Sequence, residues 1–239
     1  MRVVVVGGGG RLGQLIVAQA TSAKVAVVAV GRSDDLEAAI KAGDQIVVVD
    51  VSTPGSTAAH LALCVKHRVP LVIGTTGLSA DDRKAVDDAA GAIPVLVAAN
   101  LSPGAHLVAL LSGIAAKAMA DADVEIVEVH HRKKKDAPSG TALMLAAAIE
   151  QARGGARVVT SRAGEAPRQP GDIGVVAVRG GDVVGEHTVT FFVDGERVEL
   201  AHKVSDRGIF AKGALLAARF LLGKPAGRYE MTQVLQASL

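Results

Sequence analysis

A strand, a glycine turn and a helix follow one another without interruption at the start of the chain, where residues 3–16 read VVVVGGGGRLGQLI. Few folds accommodate that succession. Four consecutive valines suit a strand buried on both faces, and Leu12, Leu15, Ile16 and Ala20 recur at helical spacing. Between them Gly8, Gly10 and Gly13 satisfy G-x-G-x-x-G, and Gly7, Gly10 and Gly13 equally satisfy G-x-x-G-x-x-G. The reason for the pattern is steric. Glycines permit the tight turn, let backbone amides approach a pyrophosphate, and let helix and strand pack closely. The helix N-terminus then offers unpaired N–H groups to an anion. A glycine-rich turn without a ligand is the alternative, and the placement after an N-terminal strand favours a dinucleotide.

The same grammar continues for about a hundred residues. Short apolar runs at Val3 to Val6, Val25 to Val30, Ile46 to Val49, Leu71 to Ile73 and Val95 to Ala98 alternate with amphipathic segments, for which Ser56 and Ser79 are N-cap candidates. This predicts an α/β fold that begins with a Rossmann-type parallel sheet domain. After Asn100 the pattern changes. Ser102 and Pro103 open a long apolar helix to about Ala120, and VEIVEVHH alternates like a half-solvated strand. Further strands are expected at Arg157 to Thr160, Val175 to Val178, and His187 to Val193 with Arg197 to Lys203, the last two joined by the hairpin signal Asp194-Gly195. Ala163 to Gly174 reads as an exposed loop. The second domain is therefore expected to be α+β with a mixed or antiparallel sheet. The amphipathic segment Ile209 to Leu222 is expected to return to the first domain. The boundaries are 1–101 completed by 208–239 for dinucleotide binding, and 102–207 for substrate binding and oligomerisation.

Composition excludes several classes. With four Phe, one Tyr and no Trp, the chain lacks stacking platforms for single-stranded nucleic acid. A formal net charge of +2 gives no broad basic field, so neither nucleic acid nor an anionic membrane is expected as partner. Lys117 and Arg219 break the most apolar helical stretches well short of the roughly 18 to 20 residues of a membrane span. The lone Cys64 forms no internal disulfide, and no Cys and His spacing matches a zinc site. A cytoplasmic protein without a bound metal is expected.

Which dinucleotide is held depends on the end of the second strand, where an acidic residue contacts the ribose of NAD and an arginine accommodates the 2'-phosphate of NADP. Here the chain reads VVAVGRSDD, with Gly31 and Arg32 at that end. Arg32, assisted by Arg11, suits a 2'-phosphate. NADPH is expected to serve at least as well as NADH; an Arg32 that is simply a surface arginine would leave either cofactor acceptable.

The densest chemistry lies at residues 130–142, HHRKKKDAPSGTA. A solvated charge run explains the basic residues but not the helix-start signal directly after them. Ser139 is placed to cap a helix whose first amides belong to Gly140 and Thr141, and a carboxylate can sit on such amides. Lys134 can neutralise that carboxylate and His131 can donate to it. Together they suit a small, multiply anionic molecule.

EVHHRKKKDAPSGTA closely resembles the signature of the 4-hydroxy-tetrahydrodipicolinate reductase family, also called dihydrodipicolinate reductases. GGGGRLG, GTTGL at Gly74 to Leu78, AANLSPG at Ala98 to Gly104, RGGDVVGEHTV from Arg179 and SDRGIFAKGAL from Ser205 extend the likeness through most of the chain. Leu78 and Leu101 stand where the family often has Phe, and the stretch between Arg32 and Ile46 is short. The resemblance implies reduction of a cyclic dicarboxylate with NADPH or NADH in the diaminopimelate route to lysine. A hydride goes to the conjugated imine, and the carbon that gains electron density is then protonated. It implies that His130 gives or takes a proton, that Lys134 donates one, and that His131, Gly140, Thr141 and Thr76 hold substrate. It places Gly7, Gly8, Gly9, Gly10, Arg11, Leu12, Gly13, Arg32, Gly74, Thr75, Thr76, Ala98, Ala99, Asn100 and Leu101 around the cofactor, and it implies a homotetramer with hinges near Asn100 and Asp206. Two rivals stand beside it. Another dehydrogenase of aspartate-derived substrates would not need the histidine and lysine cluster, and a non-catalytic NADPH-binding protein would show no turnover.

Overall fold

The computed structural model describes residues 1–237 and divides the chain into two compact units, Met1–Pro103 with the segment from Arg207 onward, and Gly104–Asp206.

In the first unit, strand β1 (Arg2–Val6) leads to helix α1 (Arg11–Ser22), followed by β2 (Ala26–Val30), α2 (Leu36–Lys41), β3 (Ile46–Asp50), α3 (Thr57–His67), β4 (Leu71–Ile73), α4 (Ala80–Ala90) and β5 (Pro94–Val97). All pairings are parallel, and the order β2-β1-β3-β4-β5 is extended by a late strand. The chain reverses its direction of strand addition between β1 and β3. In an open α/β sheet that switch point is where a ligand crevice lies, at the carboxyl ends of the strands.

The apolar runs are continuous because both faces are covered. Successive side chains point to opposite faces: Val3, Val5, Val47, Val49, Val72 and Leu96 pack in one buried cluster, while Val4, Val6, Val48, Leu71, Ile73 and Val95 pack in another. Ser79 caps α4 with a reciprocal capping box to Asp82. Ser56 departs from expectation: its hydroxyl donates to the Thr53 carbonyl (2.9 Å), closing a 3-10 turn at Pro54–Ser56, and leaves α3 without a side-chain cap.

The second unit comprises α5 (Pro103–Ala118, whose first residue belongs to the first unit), β6 (Asp123–His130), α6 (Gly140–Arg153), β7 (Val158–Val159), β8 (Ile173–Arg179), β9 (Gly185–Val193) and β10 (Glu196–Val204). Its sheet is mixed, in the order β10-β9-β6-β8-β7, with β6 parallel to β8 and antiparallel to β9. Val124, Ile126, Val175, Val189 and Phe191 on one face pack with Leu145 and Ile149 of α6. The other face exposes Val127, Val176, Val178 and Phe192. Asp194-Gly195 makes the expected hairpin, with Gly195 at φ +87°. The loop after β7 ends two residues earlier than expected, because β8 begins at Ile173.

The chain then returns to the first unit through α7 (Gly208–Leu221), β11 (Gly227–Tyr229) and α8 (Met231–Gln236), and β11 pairs with β5. Ala211, Ala214, Ala218 and Leu221 of α7 join the cluster that covers β1. A Cβ at Gly213 would fall 1.7 Å from the Leu101 carbonyl oxygen, so only glycine lets α7 approach that backbone.

Candidate active site

In the first unit the candidate residues gather at the carboxyl ends of β1, β3, β4 and β5. Gly7 leaves β1 at φ +82°, a left-handed conformation that favours glycine. A Cβ there would lie 2.8 Å from the Val51 carbonyl oxygen, and one on Gly8 would lie 2.6 Å from the Ala29 Cβ. At Gly13 it would fall 2.2 Å from the Gly7 oxygen. These three glycines fold the loop tightly onto its own sheet. Gly9 is different, because it is exposed and a Cβ on it would meet open space. The backbone at Gly9 and Gly10 is thereby open to a ligand, next to the first-turn amides of Arg11, Leu12 and Gly13. Arg11 and Arg32 are both exposed, Arg32 two residues beyond the end of β2.

Asp50 organises the adjoining loops, and no sequence motif marks it. It ends β3 fully buried, where its carboxylate accepts from the Ser52 amide (2.9 Å), the Thr75 hydroxyl (3.2 Å) and His60 Nδ1 (2.8 Å). Burial pushes this carboxyl up, but the bonds from His60 and Ser52 outweigh that and hold it below the usual range. The loops after β3 and β4 are thus tied to one anion. The one available signal is an acid closing an otherwise all-aliphatic run, IVVVD. Gly74 donates to the Asp50 carbonyl (2.8 Å) and Ala98 to that of Ile73 (2.9 Å). Thr76 and Ala99 are exposed beside them, and the Asn100 side chain accepts from the Ser102 amide (2.7 Å). Leu101 is buried, with its Cδ1 2.9 Å from where a Gly74 Cβ would sit.

In the second unit β6 ends at His130, so His131 lies just outside the strand. The alternation of β6 buries Val124, Ile126, Glu128 and His130 on one face, which begins apolar and ends polar. His130 Nδ1 hydrogen-bonds Glu128 Oε2, and a Cβ on Gly185 of β9 would fall 2.9 Å from His130 Nε2. The edge of the ring meets His187, with centroids 5.1 Å apart at 74°. His187 Nε2 in turn hydrogen-bonds the Ser139 hydroxyl (3.0 Å). Arg179 forks onto both Glu128 oxygens at 2.7 and 2.9 Å.

Charge and burial set the protonation of this cluster. Burial lowers the His130 pKa against the raising influence of Glu128, and Lys134 and Arg179 lower it further. Burial, with His130 nearby, takes His187 down to about 4. Burial raises Glu128, yet the hydrogen bonds from Arg179 and His130 hold it below the ordinary carboxylate range.

Ser139 caps α6 by accepting from the Ala142 amide (3.2 Å), as expected, and Gly140 stands exposed at the first helical position. Thr141 is buried beside it. Lys134 donates to both oxygens of Asp136 (2.9 and 2.8 Å), which leaves one ammonium hydrogen for another acceptor. His131 Nδ1 is buried without a hydrogen-bond partner. The structure therefore brings His130, His131, Lys134, Gly140 and Thr141 into one unit and adds Glu128, Arg179 and His187. Those three come from distant strands or from the strand interior, where no local spacing marks them.

The chain matches family models described as "Dihydrodipicolinate reductase, N-terminus" over residues 1–101 and "Dihydrodipicolinate reductase, C-terminus" over residues 104–235. It is 41% identical to the 4-hydroxy-tetrahydrodipicolinate reductase of Zymomonas mobilis, over 98% of this chain and 97% of that one. Identity to the protein of the same name from Psychrobacter arcticus is 44%, over 87% of this chain and 78% of that one. Among solved structures, a dipicolinate-bound dihydrodipicolinate reductase from Paenisporosarcina sp. TG-14 shares the fold with TM-score 0.77 at 24% identity, covering 96% of this chain and 97% of that one.

Proposed function

Because the chain belongs to the dihydrodipicolinate reductase family, we propose that it reduces 4-hydroxy-tetrahydrodipicolinate to tetrahydrodipicolinate with NAD(P)H. The observation that carries this reading is His130, a buried imidazole bonded through Nδ1 to a carboxylate and set in one unit with Lys134 and the exposed N-terminus of α6. That combination suits proton transfer to a doubly anionic substrate and would not be needed by another dehydrogenase of aspartate-derived substrates.

The chain's own residues divide the work. Residues 1–101 with 208–239 hold the dinucleotide, and the glycine cradle supports this, since Gly7, Gly8 and Gly13 leave no room for a Cβ while Gly9 faces open space. Thr75, Thr76, Ala98, Ala99, Asn100 and Leu101 complete the wall. When bound, the reduced nicotinamide supplies the hydride. Residues 102–207 hold the substrate: one carboxylate sits on the Gly140 and Thr141 amides, favoured by the helix dipole, with the third hydrogen of Lys134 and His131 as further donors. His130, or Lys134, passes a proton to the carbon that gains electron density. Thr76 contacts substrate from the cofactor side.

NADPH is the preferred cofactor, a reading supported by the exposed Arg32 and Arg11. The enzyme works as a homotetramer. The outer face of the second sheet supports this with Val127, Val176, Val178 and Phe192, an apolar patch of the kind that marks an association surface. The sole cysteine is buried and free, as suits the reducing cytoplasm, and among the described residues no helix is long and apolar enough to cross a membrane.

The test is to follow NADPH absorbance while supplying freshly made product of dihydrodipicolinate synthase. The wild-type protein should oxidise NADPH only when that product is present. His130→Ala should lower kcat by about 10²-fold or more, the scale of a positioned acid or base. Near-wild-type turnover in the variant would remove His130 from the chemistry, and no turnover in the wild type would reject the reductase reading.

A further inference from the structure

We propose that Glu128 is the positioning residue of His130: its buried carboxylate accepts the Nδ1 hydrogen, locks the ring's tautomer and orientation, and leaves Nε2 as the nitrogen that exchanges the proton. The proposal rests on the role given to His130 above.

The geometry is unusually complete. Glu128 is fully buried, and each of its oxygens accepts twice. Oε1 takes hydrogens from Arg179 (2.7 Å) and the Ser139 amide (3.1 Å), and Oε2 takes them from Arg179 (2.9 Å) and His130 Nδ1. A carboxylate has about four lone-pair sites, and all are used. It therefore cannot rotate without giving up a bond in a place water does not reach. An ionised carboxylate only accepts, so Nδ1 must be the donor. The neutral imidazole then carries its free lone pair on Nε2, and the imidazolium carries its transferable proton there. On that side Gly185 contributes no side chain, where a Cβ would crowd Nε2 at 2.9 Å.

The same carboxylate reaches the substrate seat. Ser139 gives its amide to Glu128, accepts from His187 or donates to it through Oγ, and caps α6 with the same hydroxyl. Imidazole and helix N-terminus are thus fixed by one anion. Donor atoms of Glu128, His130 and His187 lie within 4.8 Å of one another, close enough for a metal. A cation there would compete with the guanidinium already forked onto Glu128, so the cluster is better suited to holding a proton.

Three measurements on the intact enzyme test this. In wild-type protein, long-range nitrogen–proton NMR of the imidazoles, with His130 identified by its loss in H130Q, should show the Nδ1–H tautomer above its titration; an Nε2–H tautomer would overturn the proposal, whatever any variant does. In Glu128→Gln, kcat should fall about 10- to 100-fold, no more than the lower end of the roughly 10²- to 10⁴-fold worth of a positioned acid or base, with KM changed much less. The kcat profile limb assigned to His130 should also move to lower pH, because the charge that raises its pKa is gone, while Lys134 after β6, Arg179 on β8 and His187 on β9 still face it. Finally, E128Q/H130Q should be no slower than H130Q alone. Equal losses from E128Q in the presence and absence of His130 would show that Glu128 acts elsewhere. Wild-type kcat in H130Q would instead sink the assigned chemistry of His130, while the tautomer measurement would still report on Glu128, so the two failures are distinguishable.

Discussion

The candidate sites of the two units are built from opposite materials. In the first, the glycine loop is almost entirely backbone: glycines whose missing side chains let it close onto the ends of β1 and β3, and amides at the start of α1. In the second it is made of side chains, with buried Glu128, His130 and His187 packed against one another and the half-buried Arg179 on the polar end of a strand face. The first arrangement depends chiefly on space. The second depends on charge, and its stability is tied to protonation.

Removing one charge should therefore do the most damage. Arg179→Met leaves the Glu128 carboxylate buried without its cation, a change that costs about 3–5 kcal/mol. Urea unfolding at neutral pH would measure it, and a loss below about 1 kcal/mol would show that the cluster does not behave as a coupled ion pair.

Acid should expose the same contrast with a somewhat smaller effect. His187 titrates near 4 in the folded protein against about 6.5 when unfolded, so the unfolded chain binds more protons between those values. Stability contributed by the neutral, buried ring is complete above pH 6.5 and is lost as pH falls toward 4, by about 3 kcal/mol. Glu128, whose folded pKa is also depressed, adds loss in the same direction. His187→Gln, which can still bond Ser139, should lose correspondingly less stability over that window; parallel curves would assign the acid sensitivity to other groups.

The first unit should respond to volume instead. Gly13→Ala would set a Cβ 2.2 Å from the Gly7 oxygen and 2.8 Å from the Gly8 Cα, both backbone atoms, so the loop itself must shift. Overpacking of this kind costs about 1–3 kcal/mol, and the cost should be the same at pH 5 and pH 8. Gly9→Ala, which meets only open space, should leave the melting temperature nearly unchanged and weaken NADPH binding, as read by fluorescence titration.

The contrast also explains what could be read from the sequence. Strands buried on both faces announce themselves as VVVV and IVVVD, and glycines that make room must sit at fixed offsets from them, so β1, its loop and α1 are local features. The basic cluster and its helix cap are local too. Glu128 is hidden because its alternating strand, VEIVEVHH, looks half-solvated: the rule that polar residues of such a strand face water fails where that face turns from apolar to charged. Its partners Arg179 and His187 lie 51 and 59 residues further along the chain and reach it only through the pairing of β6 with β8 and β9. Asp50 and His60 are close in sequence, but a strand end and a helix face meet only once β3 and α3 are packed. The short β11 and α8 carry too little periodicity to be recognised.

The smallest effect sharpens the comparison most, because it asks for a charged side chain beside a loop built from backbone. Amides at a helix start would meet the pyrophosphate common to NADH and NADPH in the same way and could not tell the two apart. Discrimination needs a charge near the ribose, and Arg32 stands just past β2, held in place by a turn in which Asp34 accepts from the Gly31 amide at 2.7 Å. That turn occupies Asp34 with backbone and leaves the guanidinium exposed. Arg32→Ala should raise KM for NADPH about 10-fold, equivalent to about 1.4 kcal/mol, and leave KM for NADH within about two-fold. Since the lost contact is an exposed ion pair, the preference should also shrink as salt rises. Equal weakening of both cofactors would mean that Arg32 supports the loop rather than reads the phosphate.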